Sequence, residues 1–146
     1  MAARMGTLQH LIDQAGRLKP IRVAVVDAVQ GLVIETLREG HSLGIVEPRL
    51  IGDPKATADL CENLGWQIKD DWIVPAPNDS AAAAKAVGLV RDGGADAVMK
   101  GNIHTDVFMQ ALLDKERGLR SVDRRVSHVF VAEVPSHPKL LGITDA

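Results

Sequence analysis

Ile21-Arg-Val-Ala-Val-Val26 is the stretch that most narrows what this chain can fold into. It is short, rich in β-branched residues and almost continuously apolar, as a strand covered on both faces must be. Such a strand belongs in a layered α/β structure, and the flanking sequence agrees. Leu8, Leu11, Ile12 and Ala15 recur at helical spacing and predict a helix over about 7–17, stopped by Pro20. Val29, Leu32, Val33, Thr36 and Leu37 predict a second over 29–39, closed by Gly40. Ile45-Val46 and Arg49-Leu-Ile51 read as the next strand, broken or delayed by Pro48. Gly52-Asp53-Pro54 then reads as a turn opening a helix to about Leu64, with Asp53 as N-cap and Pro54 as first helical residue.

The alternation continues with a strand region over 66–74. Asn78-Asp79-Ser80 caps an alanine-rich helix over 81–91, and Gly93-Gly94 ends it. Ala95 to Met99 is a short strand, 106–115 a helix, and 127–134 and 140–144 two last strands near the domain edge, joined by the Pro135-Ser-His-Pro138 turn. The pattern predicts a doubly wound, mostly parallel α/β sheet, whose ligands bind at the carboxyl ends of its strands. Asp27, Gly52-Asp53 and Lys100 to Thr105 stand at such ends.

Composition excludes several classes. At 146 residues and 46% hydrophobic, the chain is one domain's worth with a real core. A net charge of -2, two Trp, two Phe and no Tyr argue against a nucleic-acid surface. The single cysteine, Cys61, excludes an internal disulfide and lies in an amphipathic pattern, so it reads as a buried structural thiol in a reducing compartment. No apolar run approaches a membrane span, and the expected home is the cytoplasm. No Cys/His/Asp/Glu cluster has metal-ligand spacing, so no metal is expected.

The chemistry concentrates in Gly94-Ala-Asp-Ala-Val-Met-Lys-Gly-Asn-Ile-His-Thr105. Strand, tight turn and helix in that order aim backbone N–H groups at a small anion. Lys100 adds a cation, Gly101 lets backbone approach closely, Asn102 lies in the turn, and Thr105 is an N-cap or hydroxyl donor. His104 is a donor to phosphate or a turn-packing residue. Asp27 reads as an N-cap for the following helix. His128 opens a late strand, and Thr144-Asp145 sit at a strand end; all three are weaker site candidates. Arg120, Arg124 and Arg125 are weaker still.

Four ordered blocks carry a resemblance: Gly94 to Thr105, Asp114-Lys-Glu-Arg-Gly-Leu-Arg120, Arg125-Val-Ser-His-Val-Phe-Val131 and Gly142-Ile-Thr-Asp-Ala146. In order and spacing they resemble the phosphate acetyltransferase / phosphate butyryltransferase family, from about Leu18 to the last residue. The butyryl-type enzymes, and the transferase half of proteins fused to an enoyl-CoA hydratase, are the most similar. The resemblance implies an acyltransferase moving an acetyl- or butyryl-type group between coenzyme A and inorganic phosphate to give acyl phosphate. It implies coenzyme A as substrate, no tightly bound cofactor, and Lys100, Gly101, Asn102, His104 and Thr105 as the phosphate cradle. It also implies the first domain of an isocitrate dehydrogenase-like two-domain fold, with the catalytic aspartate and a serine-arginine pair in a second half.

Residues 1–146 are then the family's N-terminal α/β domain, and 125–146 read as a segment crossing toward a missing second domain. The chain looks cut, alone it is expected to be inactive, and its apolar tail predicts a homo-oligomer. One departure is Gln110, where many relatives have an arginine. Two other readings compete: a non-catalytic phosphate- or ligand-binding remnant, and an unrelated doubly wound domain such as a receiver, which the four-block resemblance disfavours.

Overall fold

The computed structural model describes residues 6–120 and 125–145. Among the described residues five α-helices and six strands follow in the order α1 (Leu8–Ala15), β1 (Ile21–Val26), α2 (Gly31–Ser42), β2 (Val46–Gly52), α3 (Pro54–Asn63), β3 (Ile73–Pro75), α4 (Asp79–Arg91), β4 (Ala97–Lys100), α5 (Thr105–Leu113), β5 (Val129–Ala132) and β6 (Leu141–Thr144), alternating as far as β5. β1 to β4 form one parallel sheet in the order β3-β2-β1-β4, with Val25 beside Leu50 on one side and Met99 on the other.

β1 lies inside this sheet, and its alternate residues face opposite layers. Val23 and Val25 pack with Val33, Ile34 and Leu37 of α2 and Cys61 of α3. Ala24 and Val26 pack with Ala82, Ala83 and Ala86 of α4, against which Val107 and Phe108 of α5 also lie. Both faces are therefore covered, which explains the unbroken apolar run. Removing a side chain such as Leu37 or Val25 from water contributes about 1.5–3 kcal/mol. Cys61 is 1% exposed, and burial pushes its thiol pKa up, as a structural cysteine requires.

Arg22 and Asp96 bolt β4 to β1. Arg22 Nε and Nη2 donate to the two Asp96 oxygens at 3.0 and 2.8 Å, the Arg22 N–H donates to Oδ2 at 2.8 Å, and Nη1 donates to the Gly93 carbonyl at 2.8 Å. Those side-chain hydrogen bonds hold the Asp96 carboxyl well below the usual carboxylate range.

Four expectations change. α2 begins at Gly31 and runs through Gly40, where a Cβ would lie 3.2 Å from Val46 Cγ2; Gly44, at φ 72°, follows its end instead. Pro48 does not interrupt β2. Its nitrogen points to the β3 side, where β3 pairs only from Leu50 onward, so no ladder bond is lost. Over 66–74, only Ile73–Pro75 is strand: Trp66 and Trp72 turn inward onto His41, and a short 3₁₀ turn, Asp70–Trp72, precedes β3. β5 and β6 stand apart from the parallel sheet as an antiparallel hairpin, pairing Val129 with Thr144. This hairpin touches the N-terminal segment, where the Leu8 N–H donates to Glu133 Oε2 at 2.9 Å, and it leaves Val129, Phe130 and Val131 exposed.

Candidate anion site at the switch point

The β1-to-β2 and β3-to-β4 connections leave on opposite sides of β1, so the carboxyl ends of β1 and β4 border the crevice where doubly wound sheets bind ligands. An open cleft of about 400 Å³ occupies that place, lined by Asp27, Gln30, Asp79 and Lys100 to His104. Lys100 ends β4 beside Val26 and is exposed. Asn102 is exposed as well, and Gln30 Nε2 donates to its Oδ1 at 2.8 Å. Buried Ile103 anchors the turn in the core.

Gly101 has a different use from the one expected. Its N–H donates to the Val26 carbonyl at 2.9 Å, and the Asn102 N–H donates to the Asp27 carbonyl at 2.8 Å. A Cβ at Gly101 would lie 2.3 Å from the Val26 oxygen and 2.4 Å from the Asp27 oxygen. The glycine admits its own chain rather than a ligand, and both amides are already engaged. Thr105 is also displaced from its expected place: the N-cap of α5 is His104, and Thr105 is the first helical residue.

Of the three helices whose N-terminal ends border the cleft, α4 is capped by a side chain and α2 and α5 are not. Thr7, Asp53 and Asn78 each accept an N–H bond at the start of α1, α3 and α4. Gln30 and His104, the N-caps of α2 and α5, make no side-chain cap bond, and both line the cleft. Two helix N-termini thus present orphan N–H groups and positive dipole ends beside Lys100. The charge is mixed, because Asp27 and Asp79 share the cleft. Partial burial raises the Asp27 carboxyl pKa, neighbouring Asp79 and Asp53 push the same way, and Asn102 opposes them.

Asp27 is not the helix cap expected of it, since α2 starts beyond Gln30. Spacing along the sequence does not mark Gln30 or Asp79 as cleft residues; the only signal for Asp79 is its position after Asn78 at a helix start on the sheet's carboxyl edge. The weaker candidates gather elsewhere. Thr144 Oγ1 donates to the His128 carbonyl at 2.9 Å across the hairpin, and the His128 ring meets Phe130 edge-on at 5.2 Å. Asp145 follows β6 at φ 57°. None of these three lines the cleft. Arg120 and Arg125 are exposed, and Arg124 lies outside the described residues.

A second groove, about 360 Å³, runs between α4 and α5. It starts at Ser80, next to the cleft residue Asp79, includes Gln110, and reaches Arg91 and Arg117. Arg91 lies eleven residue steps beyond Ser80, about 16 Å along α4. Among the described residues no metal-binding cluster occurs, and no helix is long and apolar enough to cross a membrane.

No family model matches the chain. Similarity to known proteins is nonetheless extensive. The phosphate butyryltransferase of Clostridium acetobutylicum is 40% identical over 124 residues, 85% of this chain and 41% of that protein. The phosphate acetyltransferase of Rickettsia felis is 33% identical over 141 residues, 94% of this chain and 40% of the relative. Among solved structures, a branched-chain phosphotransacylase from Enterococcus faecalis superposes with a TM-score of 0.65 at 27% identity, over 86% of this chain and 42% of that one. A phosphotransacetylase from Streptococcus pyogenes, at 17% identity and TM-score 0.62, shares the fold. The chain spans about two fifths of the length of these relatives.

Proposed function

Because this chain belongs, over the part it covers, to the phosphate acetyltransferase and phosphate butyryltransferase family, we propose that it carries the phosphate-holding side of an acyl-CoA:phosphate acyltransferase cleft. The reaction moves an acetyl- or butyryl-type group from the coenzyme A thioester to inorganic phosphate, with coenzyme A as substrate rather than resident cofactor. The observation that carries the reading is the pair of uncapped helix N-termini, at Gln30 and His104, meeting Lys100 at the switch point.

Acyl transfer to phosphate asks the protein chiefly for position and charge. Phosphate must lie in line with the thioester carbonyl, and charge on the departing thiolate must be offset. In this reading Lys100 neutralises phosphate, the first-turn amides of α5 orient its oxygens, and His104 and Asn102 donate from the rim. Thr105 offers its hydroxyl one residue further along. Gly101 acts beneath them by closing the turn onto β1. The groove between α4 and α5 takes the phosphorylated end of the thiol substrate. Arg91 and Arg117 supply there the charge that Gln110 lacks. The proton transfers are assigned to the portion of the relatives that this chain does not span. We also read the exposed hairpin as the basis of self-association, in a cytoplasmic protein.

The test is phosphate-dependent release of free thiol from acetyl-CoA and butyryl-CoA. A protein extended to the full length of its relatives should turn over, while the 146-residue chain should be slower by several orders of magnitude. Phosphate-dependent turnover by the short chain would overturn the division of labour and point to its own residues, His104 or His128, as the groups doing the chemistry.

A further inference from the structure

Asp27 is held in the cleft more firmly than a loop carboxylate needs to be. Its N–H donates to the Ile51 carbonyl at 2.7 Å and its carbonyl accepts from Asn102 at 2.8 Å, so β2 and the Lys100 turn grip its backbone from both sides. It sits in the left-handed region, at φ 54°, a conformation that side chains other than glycine adopt at a cost and that Asp and Asn tolerate best. Two glycines make room around it. A Cβ on Gly52 would stand 3.3 Å from Asp27 Oδ1, and one on Gly101 would meet the Asp27 carbonyl. Asp27 thus borders the cleft with Lys100 and His104, its Oδ1 beside Gly52 at the end of β2.

We propose that Asp27 controls when this cleft takes an oxyanion: only with its carboxyl protonated does the site accept a phosphate- or sulfate-like group, to which that carboxyl then donates a hydrogen bond. The inference rests on the anion-site reading above and specifies what regulates it. The groups that face Asp27 are Asp53 at the start of α3, Asp79 at the start of α4, Lys100 and His104 from the β4–α5 turn, and the uncharged Gln30 and Asn102. With Asp27 and Asp79 both ionised, an anion entering beside Lys100 would meet two carboxylates for one ammonium. A proton on Asp27 removes one of them and turns an acceptor into a donor. Partial burial, with Asp79 and Asp53 nearby, favours that proton. Asn102, whose Oδ1 accepts from Gln30, pulls the other way by favouring the ionised carboxylate, so the proton is held against it by burial and the neighbouring carboxylates.

Sulfate is the probe, since its charge is constant over the range in which phosphate titrates. Its affinity for the 146-residue chain should fall by roughly tenfold or more from about pH 5 to about pH 8 by calorimetry. Asp27→Asn, which keeps the left-handed backbone accessible and a donor in place, should bind with nearly flat pH dependence and more tightly than wild type at the upper pH. Asp27→Gly should also lose the pH dependence. His104→Gln separates the neighbouring titratable group and should keep most of it. A pH-independent affinity in the wild type, or a pH dependence that survives in Asp27→Asn and vanishes in His104→Gln, would overturn the proposal while leaving the anion site standing. No sulfate binding by any variant at either pH would overturn the anion reading itself, and this inference with it.

Discussion

Gly101 shows what a sequence can and cannot say about one residue. A glycine after Lys100 at a strand end announces a close approach, and the approach is real; its partner, the Val26 and Asp27 carbonyls, lies 74 or 75 positions away and only the fold brings it near. Gly101→Ala should therefore destabilise the chain by about 1–3 kcal/mol, read from urea unfolding, and should weaken anion binding by deforming the turn. Asp27 carries a second residue-scale prediction. Its native carboxyl pKa is raised, so its contribution to stability is present below the ordinary carboxylate value near 4 and is lost as pH rises through the native value. Asp27→Asn should melt higher than wild type at neutral pH, with the gap closing toward about pH 4. An equal gap at both pH values would show that the ionised carboxylate costs the fold nothing. Asp27 itself is legible as a strand end but not as a cleft residue, because α2 starts only beyond Gln30 and leaves Asp27 outside the helix cap.

At the level of elements, the sequence was most readable where one force dominated. β1 announced itself because both of its faces are buried, and α3 because Asp53 and Pro54 are strong start signals that the fold honours. α2 departs from its sequence pattern at both ends, running over Gly31–Ser42 rather than 29–39. Gly40 lies within it because the missing side chain accommodates Val46, a contact that local spacing cannot reveal. The last two strands were found, but their separation from the main sheet was not, since alternation in sequence does not specify a partner. The bolt between β1 and β4 gives a prediction here. The Asp96 carboxyl is held low by Arg22, so its contribution is present above the ordinary carboxylate value and is lost as pH falls from there. Asp96→Asn should lower the melting temperature at neutral pH, and the difference should shrink below about pH 4. The hairpin supplies another. Phe130, 60% exposed beside Val129 and Val131, should promote association, and Phe130→Ser should shift the sedimenting species toward monomer. A wild-type chain that sediments as monomer at high concentration would count against it.

For the molecule as a whole, the parallel sheet, its two helical layers and the position of the cleft were legible from alternation and strand ends. The convergence on the cleft was not. Asp27 and Gln30 come from the β1–α2 connection and Asp79 from the start of α4, and no spacing along the chain joins them to Lys100. The same geometry explains why Thr144, Asp145 and His128 looked like strand-end candidates yet gather on the hairpin, away from the cleft lining. Relatives more than twice as long match this chain nearly end to end, and in the proposed reading the cleft is one wall of the site that their full length builds.

If Lys100 holds phosphate in this cleft, steady-state kinetics of the protein extended to its relatives' length will read out that contribution. With acyl-CoA saturating, Lys100→Ala should raise the KM for phosphate by roughly 10- to 100-fold, the equivalent of losing a charge-assisted hydrogen bond of about 1.5–3 kcal/mol. The KM for acyl-CoA should change little. An unchanged phosphate KM, or a loss confined to acyl-CoA, would mean that Lys100 does not hold phosphate.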